Sequence, residues 1–476
     1  MANFIKKYGQ LFVGSVFLLY FLYTFSNALD IGIEVVISTF LTIILYFQSI
    51  GVFLYFYKKK GKPRLQDWFR LALFVTLVLD FMEIVNSAEG SVVVKFIVSS
   101  ISLFDSPFAM LVIIFALLSL DIAYFIMNTF KKSKASNENY AIRRKNWIFA
   151  ILVLSTMIKG YLLFSGLSGY GSSLEYTTGL ASLAKTLANI LNPFALIVSA
   201  YIIFIESSHN RKYHIVFYFI LLLQVFLGLL SGMKEEALIP LLYTGIVFLI
   251  AGKKLPQKGV YMGIFILALL YPLNNAYRNV INDPYLNTGS SILNISIAVN
   301  KIVNEPLAET LSTGISQYGD RGSMFPFFQY SINIEPSWDY YKNMARYFAL
   351  PVVWLVPRAM WEDKPKADIG GVLYEHIVGE RTMTAVTPTT LGWAYLEGGF
   401  VFVIIIFLLL GLMLEFIDKN DYREPIVLIF YVILLHKAIK PEWDVYFMFA
   451  TMLQMFILYW GLLKILGVNK GTYSEN

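Results

Sequence analysis

Apolar runs of about 20 residues, each long enough to cross a bilayer, follow one another along almost the whole chain, separated by short polar interruptions. The runs predict helices over about Gln10–Leu29, Ile31–Phe56, Trp68–Ser87, Pro107–Phe130, Trp147–Phe164 and Leu183–Ile205. A seventh and an eighth form a hairpin around Ser231–Glu236, and a ninth reaches Asn275. Three more run over Gly392–Phe416, up to His436, and over Val445–Leu466. The pattern therefore predicts an all-α, polytopic transmembrane helical bundle of about twelve spans.

The strongly basic interruptions, Lys58–Arg64, Lys131–Lys145, Arg211–Lys212 and Gly252–Gly259, fall on one side in this count. Positive charge is retained in short cytoplasmic loops, so that side is assigned to the cytoplasm, with both termini on it. Lys6 and Lys7 before the first apolar run superficially resemble a signal peptide. A convincing small-residue cleavage site is missing, and the segment reads as a retained helix.

One stretch breaks the pattern. Residues 276–388, between the ninth and tenth helices, are polar and aromatic and should form a large extracytoplasmic loop, dividing the chain into 1–275, 276–388 and 389–476. Its apolar run Tyr347–Val356 is too short to cross and reads as a re-entrant or interfacial helix. The aromatics of Met324–Tyr330, Ser337–Tyr341 and Trp354–Trp361 favour a membrane–water interface, so the loop is expected to fold down onto the membrane.

Composition narrows the classes. Hydrophobic residues make up 57 % and charged residues 15 % of 476, against about a quarter charged in soluble domains. The formal charge of +6 belongs mostly to the short basic loops, which leaves no nucleic-acid surface. With no cysteine there is no disulfide, thiolate metal site or cysteine nucleophile. P-loop, zinc-ligand, Gly-x-Ser-x-Gly and Asp-x-Asp patterns are also missing, which counts against ATP hydrolysis, metalloprotease chemistry and metal-dependent sugar transfer, and no cofactor is expected.

Within the loop the cation choice changes. It holds five of the eleven arginines but only four of the 27 lysines. Orientation needs charge alone, whereas the guanidinium fork grips phosphate or carboxylate with two parallel hydrogen bonds. Arg278, Arg321, Arg358 and Arg381 are therefore candidate ligands for a lipid diphosphate, with Lys234 at the hairpin tip as a cationic floor. The competing reading pairs them with the loop's own eleven acidic residues. Among these, Arg358 in the Pro357–Lys364 cluster and Arg381 carry most weight.

For a base, His376 is the generic candidate, since it is the loop's one histidine and imidazole is the side chain suited to proton transfer near neutral pH. Asp363 and Glu397 are alternatives, as are Asp320, Glu362, Glu375 and Glu380, and spacing does not choose among them. Asp80, Glu83, Asp121 and Lys185 lie within spans, where ionisable groups suggest a polar cavity or a relay.

Three stretches, Ser-Gly-Met-Lys-Glu-Glu-Ala-Leu-Ile-Pro-Leu-Leu after the seventh helix, Pro-Arg-Ala-Met-Trp-Glu-Asp-Lys-Pro late in the loop, and Thr-Pro-Thr-Thr-Leu-Gly-Trp-Ala-Tyr-Leu-Glu-Gly-Gly-Phe-Val-Phe leading into the tenth helix, resemble the Wzy-type O-antigen and capsule polymerases. So do Arg278 with Gly289 and Arg381 with Gly392, each eleven positions apart. The resemblance implies a GT-C-like membrane glycosyltransferase in a bacterial inner membrane. It would move a growing glycan from undecaprenyl diphosphate onto a sugar hydroxyl of another lipid-linked repeat unit, without nucleotide sugar or metal. A chain-length regulator would be a partner, besides membrane lipids. Related O-antigen ligases carry a histidine where this chain has Thr387–Thr390, which favours polymerase over ligase. Lys234 stands where many relatives carry Arg. A flippase for the same lipid-linked glycan is the rival from another class, although no duplicated halves are visible.

Overall fold

The computed structural model describes residues 2–60, 63–86, 105–130, 139–169, 179–208, 210–254, 273, 276–281, 283, 285–288, 291–304, 324–334, 369–379 and 386–471. Helix dominates them, because a backbone in lipid must satisfy its own hydrogen bonds. After α1 (Ala2–Ile31), α2 (Ile33–Tyr46) passes through one π-helical turn, Phe47–Gly51, into α3 (Val52–Lys60). Next, α4 (Leu65–Leu73) continues through a second π-helical stretch, Phe74–Leu79, into α5 (Asp80–Asn86). Beyond α6 (Ser106–Thr129) and strand β1 (Asn139–Ile142) come α7 (Lys145–Phe164), α8 (Gly179–Phe204), α9 (Arg211–Leu230) and α10 (Lys234–Ile250).

The described parts of the long polar segment contain α11 (Ser291–Asn304), α12 (Phe325–Ile334) and α13 (Ile369–Val378). Then follow α14 (Thr389–Lys419), α15 (Pro425–Ile439), α16 (Val445–Ile465) and strand β2 (Val468–Gly471). Eight helices among the described residues are long and apolar enough to span a membrane. The protein is a helical, membrane-embedded bundle. Residues 65–86, α10 and α15 are also helical, but they are either shorter or more charged than those eight.

Helices α6 and α14 lie against each other along much of their length. Gly411 permits it: a Cβ there would stand 2.6 Å from the Ala123 Cβ. Near its start α14 is broken at Gly398 and Gly399, and Gly399 has φ 67 and ψ −159, a conformation essentially restricted to glycine. Glu397, the residue just before the break, is buried.

Helix α12 departs from the sequence expectation. Its Met324–Tyr330 aromatics were expected at a membrane–water interface, yet Phe325 and Phe328 are fully buried among α4–α5, α6 and α14. The Asp80 carboxylate accepts the Phe325 N–H at 2.7 Å, so an acidic group inside a span holds the segment in the core. An interfacial pattern and a core-filling pattern look alike in sequence, since both are aromatic.

At one end of the bundle β1 and β2 pair antiparallel, Asn139 opposite Gly471 through Ile142 opposite Val468. Close by, Lys145 meets Glu206 at 2.5 Å and the Tyr201 hydroxyl donates to the Tyr140 carbonyl at 2.9 Å. Arg64 belongs to the same end. It pairs with Asp67 at 2.6 Å and Glu415 at 3.3 Å, while the Leu65 N–H donates to Asp418 at 2.6 Å. One turn deeper, the fully buried Arg70 pairs with Asp121 at 2.8 Å. The basic charge at this end therefore has a second role: Arg64 and Arg70 fasten helices together as well as adding positive charge.

Candidate functional site

At the opposite end, the turn between α9 and α10 is built by its own sequence. Ser231 donates from Oγ to the Gly228 carbonyl at 2.7 Å and accepts the Met233 N–H at 3.1 Å. Gly232 takes φ 67, open to glycine at little cost. Gly228 lets the two helices touch backbone to backbone, since a Cβ there would lie 2.4 Å from the Ala237 nitrogen. Glu235 and Glu236 occupy the first turn of α10, where carboxylates are favoured by the helix dipole.

Three other parts of the chain converge on this turn. From α7, Lys159 reaches Glu236 at 2.8 Å. From the long polar segment, Arg278 donates its Nε–H to the Gly232 carbonyl at 3.0 Å. That arginine sits in the helical stretch 276–281, which packs through Tyr277 and Val280 onto α11. Ile295 of α11 in turn packs against Leu163, Leu227 and Leu230 at the ends of α7 and α9. The segment is thus seated on the bundle.

From the turn after α15, Lys440 pairs with Glu235 and, at 3.4 Å, with Glu442. His436 bridges inward, its Nε2 3.2 Å from Glu235 and its Nδ1 3.1 Å from the Tyr243 hydroxyl. A neutral imidazole satisfies both contacts when Tyr243 donates to Nδ1 and Nε2–H donates to Glu235. The His436 hydrogen bond, opposed by partial burial and aided by Lys440, holds the Glu235 carboxyl well below the usual carboxylate range, at about 2. Burial works against the Lys440 ammonium; Glu442 and Glu235 outweigh it and hold it above its ordinary value.

The same turn is stitched to the start of α14. The Thr390 N–H donates to Pro441 O at 2.8 Å, Thr387 Oγ1 to Glu442 O at 2.8 Å, and Thr390 Oγ1 to Trp443 O at 3.1 Å. Trp443 Nε1 closes back on the Lys437 carbonyl at 2.8 Å, using an acceptor at the end of α15. Thr389 stands at φ 68, a genuine outlier for a β-branched residue, and its buried hydroxyl has no hydrogen-bond partner among the described residues.

Two of the three stretches singled out in the sequence, Ser231–Leu242 and Thr387–Phe402, are therefore joined at their starts through His436–Trp443. The third, Pro357–Pro365, lies outside the described residues. So do Arg321, Arg358, Arg381, Asp363 and the run Tyr347–Val356. The Lys234 backbone opens α10, two residues from the carbonyl that Arg278 engages. His376 is exposed on α13 and turns toward α12: its ring lies 6.2 Å from that of Tyr330, whose hydroxyl donates to the His376 carbonyl at 3.4 Å.

Lys159, Tyr243, His436, Lys440 and Glu442 escaped the sequence reading. A signal was present. His436, Lys437 and Lys440 form a basic group at the end of a helix whose other end already carries the charges of Asp418–Glu424, contrary to the charge rule that assigned every other loop.

A family model described as a domain of unknown function, DUF8712, matches residues 155–423, more than half of the chain. The chain belongs to that family. The DUF8712 match takes in Lys159, the Ser231–Glu236 turn, Arg278, Thr387–Thr390 and all of α14; the His436–Trp443 turn lies beyond it. No curated protein and no solved structure matches the chain.

Proposed function

We propose that this protein is a membrane glycosyltransferase that polymerises lipid-linked oligosaccharide repeat units, using a polyprenyl-diphosphate donor at the Arg278–Lys440 end of the bundle. The observation that carries the reading is the meeting of Arg278, Lys159 and Lys440 around the Ser231–Glu236 turn. Three cations from separate parts of the chain surround one turn: Glu236 holds Lys159, Glu235 and Glu442 hold Lys440, and the Gly232 carbonyl holds Arg278. The sequence resemblance selects the polymerase class among enzymes that bind diphosphates.

In this scheme the acceptor sugar hydroxyl attacks the anomeric carbon of the donor glycan. The bond from that carbon to the diphosphate oxygen breaks, and the polyprenyl diphosphate leaves with the bonding electrons. Arg278, Lys159, Lys440 and Lys234, joined by Arg321, Arg358 and Arg381, stabilise the charge that develops on the leaving group. The hydroxyl proton passes to a carboxylate or to His376. Glu235, held at about 2, is a poor base and serves as an anchor for His436 and Lys440.

The reading places the site on the extracytoplasmic side of a bacterial inner membrane, with about twelve spans and both termini inside. Against the flippase alternative stand two contacts that engage part of the candidate relay: Asp121 pairs with Arg70, and Asp80 accepts the Phe325 N–H. Purified protein incubated in detergent with undecaprenyl-diphosphate-linked repeat units should yield a ladder of longer glycans. Unchanged substrate with wild-type protein, under conditions where vesicles show translocation, would assign it to transport instead.

A further inference from the structure

A second feature lies at the other end of the molecule, away from the Arg278–Lys440 site. Helices α1, α2–α3 and α6 border a cavity of about 750 Å³ that is open to its surroundings and runs along α1 from Gln10 to Phe21. Apolar and aromatic side chains form most of its wall, among them Phe17 and Tyr46, whose rings stack at 4.1 Å. The π-helical turn contributes directly, since Phe47 and Gly51 both line the cavity. Such turns widen a helix locally and recur at functional sites.

Its floor is charged but balanced. Arg64, pressed on the rings of Phe56 at 3.6 Å and Tyr124 at 4.3 Å, is paired with Asp67 and Glu415, and Asp121 is paired with Arg70. A ligand headgroup therefore meets other cations, and Lys58 and Lys59 stand exposed at the end of α3 beside that floor. Lys59 is held there, its Nζ donating to the Tyr55 hydroxyl at 2.9 Å, and Tyr55 itself lines the cavity.

Size identifies the occupant. From Gln10 to Phe21 a helix rises about 16 Å, roughly half of the ~30 Å hydrocarbon core. That is the depth of one leaflet, which suits an acyl chain; a polyprenyl carrier chain is several times longer. Water has little to bind along an apolar wall, whereas hydrocarbon is the surrounding solvent at this depth. We propose that this cavity holds one acyl chain of an anionic phospholipid, drawn from the leaflet on the β1–β2 side, with Lys58 and Lys59 meeting its headgroup. The site is separate from the proposed polymerase site and does not depend on that reading.

The test uses the full chain in phosphatidylcholine vesicles doped with a photoactivatable acyl chain on either phosphatidylglycerol or phosphatidylcholine, with adducts mapped after irradiation. Adducts should fall within Gln10–Phe21 and Tyr46–Phe56 and be at least tenfold more abundant with phosphatidylglycerol. Two substitutions fill the cavity from glycines with room for a side chain: a Cβ at Gly14 first meets the Tyr46 hydroxyl at 3.6 Å, and one at Gly51 first meets Phe47 at 3.5 Å. Gly14→Trp and Gly51→Leu should each cut labelling at least tenfold, while Leu19→Trp, on an exposed position of α1, leaves it unchanged. Lys58→Gln with Lys59→Gln should abolish the preference for phosphatidylglycerol. Labelling spread evenly over α1, retained in both filled variants, or equal for the two lipids would overturn the proposal, as would displacement by equimolar undecaprenyl phosphate. Should a filled variant fail to fold, the adduct map of the unaltered chain and the lysine variant still decide.

Discussion

Arg278 and Gly232, 46 residues apart in the chain, are joined by a hydrogen bond from the arginine Nε–H to the glycine carbonyl at 3.0 Å. The bond aligns a guanidinium from the long polar segment with the turn that opens α10. Lysine can supply the charge but not this geometry. Arg278→Lys should therefore lower glycan polymerisation at least tenfold and Arg278→Ala should abolish long products, with membrane insertion unchanged in both. Chain-length ladders resolved by gel electrophoresis measure the effect; an unaltered Arg278→Lys ladder would remove this residue from the site.

Glu235 links His436 to Lys440, and the sign of its acid sensitivity follows from its lowered pKa. Its ordinary value is 4.5 and its folded value about 2, so its contribution to stability is complete above 4.5 and is lost as pH falls through about 2. Both partners of the Lys440 pair are more than one-third exposed, which limits the pair to about 0.2–1 kcal/mol. Thermal unfolding of Glu235→Gln against wild type should show a gap at pH 7 that narrows below pH 4.5. A gap that widened in acid would contradict the assignment.

Gly228 supports the same turn by leaving space. Because an added Cβ would lie 2.4 Å from the Ala237 backbone nitrogen, even Gly228→Ala forces α9 and α10 apart. The expected cost is about 1–3 kcal/mol, typical of overpacking. Gly245, where a Cβ meets nothing within 4 Å, is the matched control. Melting midpoints in detergent should fall for Gly228→Ala and hold for Gly245→Ala.

Thr389 stores strain of about 1–3 kcal/mol at φ 68. Replacing it with glycine removes the penalty without touching the Thr387 and Thr390 hydrogen bonds to the α15–α16 turn. Thr389→Gly is expected to raise the melting midpoint while lowering polymerisation, because the strained turn sets the position of α14 against residues 441–443. Higher stability with full activity would show that the strain is not used.

Among the described residues, Asp121 is the carboxylate that pairs with Arg70, at 2.8 Å. Asp121→Asn should cost about 3–5 kcal/mol, because the fully buried Arg70 is then left without its carboxylate. The double change Arg70→Leu with Asp121→Leu should recover most of the loss, since no charge then remains buried. Expression level and midpoint of the three variants form the comparison.

Sequence pattern reached the long helices closely and the site only in part. The fourth, fifth and twelfth expected helices match α6, α7 and α16 within two residues, because bilayer thickness imposes a strong length signal. The four-residue strands, the π-helical turns and the break at Gly398–Gly399 carry no comparable periodicity. Arg278 was recognised from its residue type within the long loop, and the neighbouring Ser231–Glu236 turn from the apolar runs on either side of it. The cluster itself joins α7, α10, the long segment and the α15–α16 turn, so its members acquire meaning only by proximity. Lys440 is the clearest case, an ordinary loop lysine until Glu235 is placed beside it.

The pairing of β1 with β2 constrains the path of everything between them. Two strands bonded to each other lie on one face of the membrane, so the chain from Ile142 to Val468 must leave that face and return to it. Its number of crossings is even. Five of the eight long apolar helices, α7, α8, α9, α14 and α16, fall within that interval, and five is odd. An odd number of further crossings must therefore lie elsewhere in the interval, and among the described residues α10 and α15 are the helices left to supply them. Four paired positions of sheet thereby restrict the topology of more than 300 residues of the chain, and a single accessibility label on β2 would fix the sidedness of Arg64, Lys145 and β1 together.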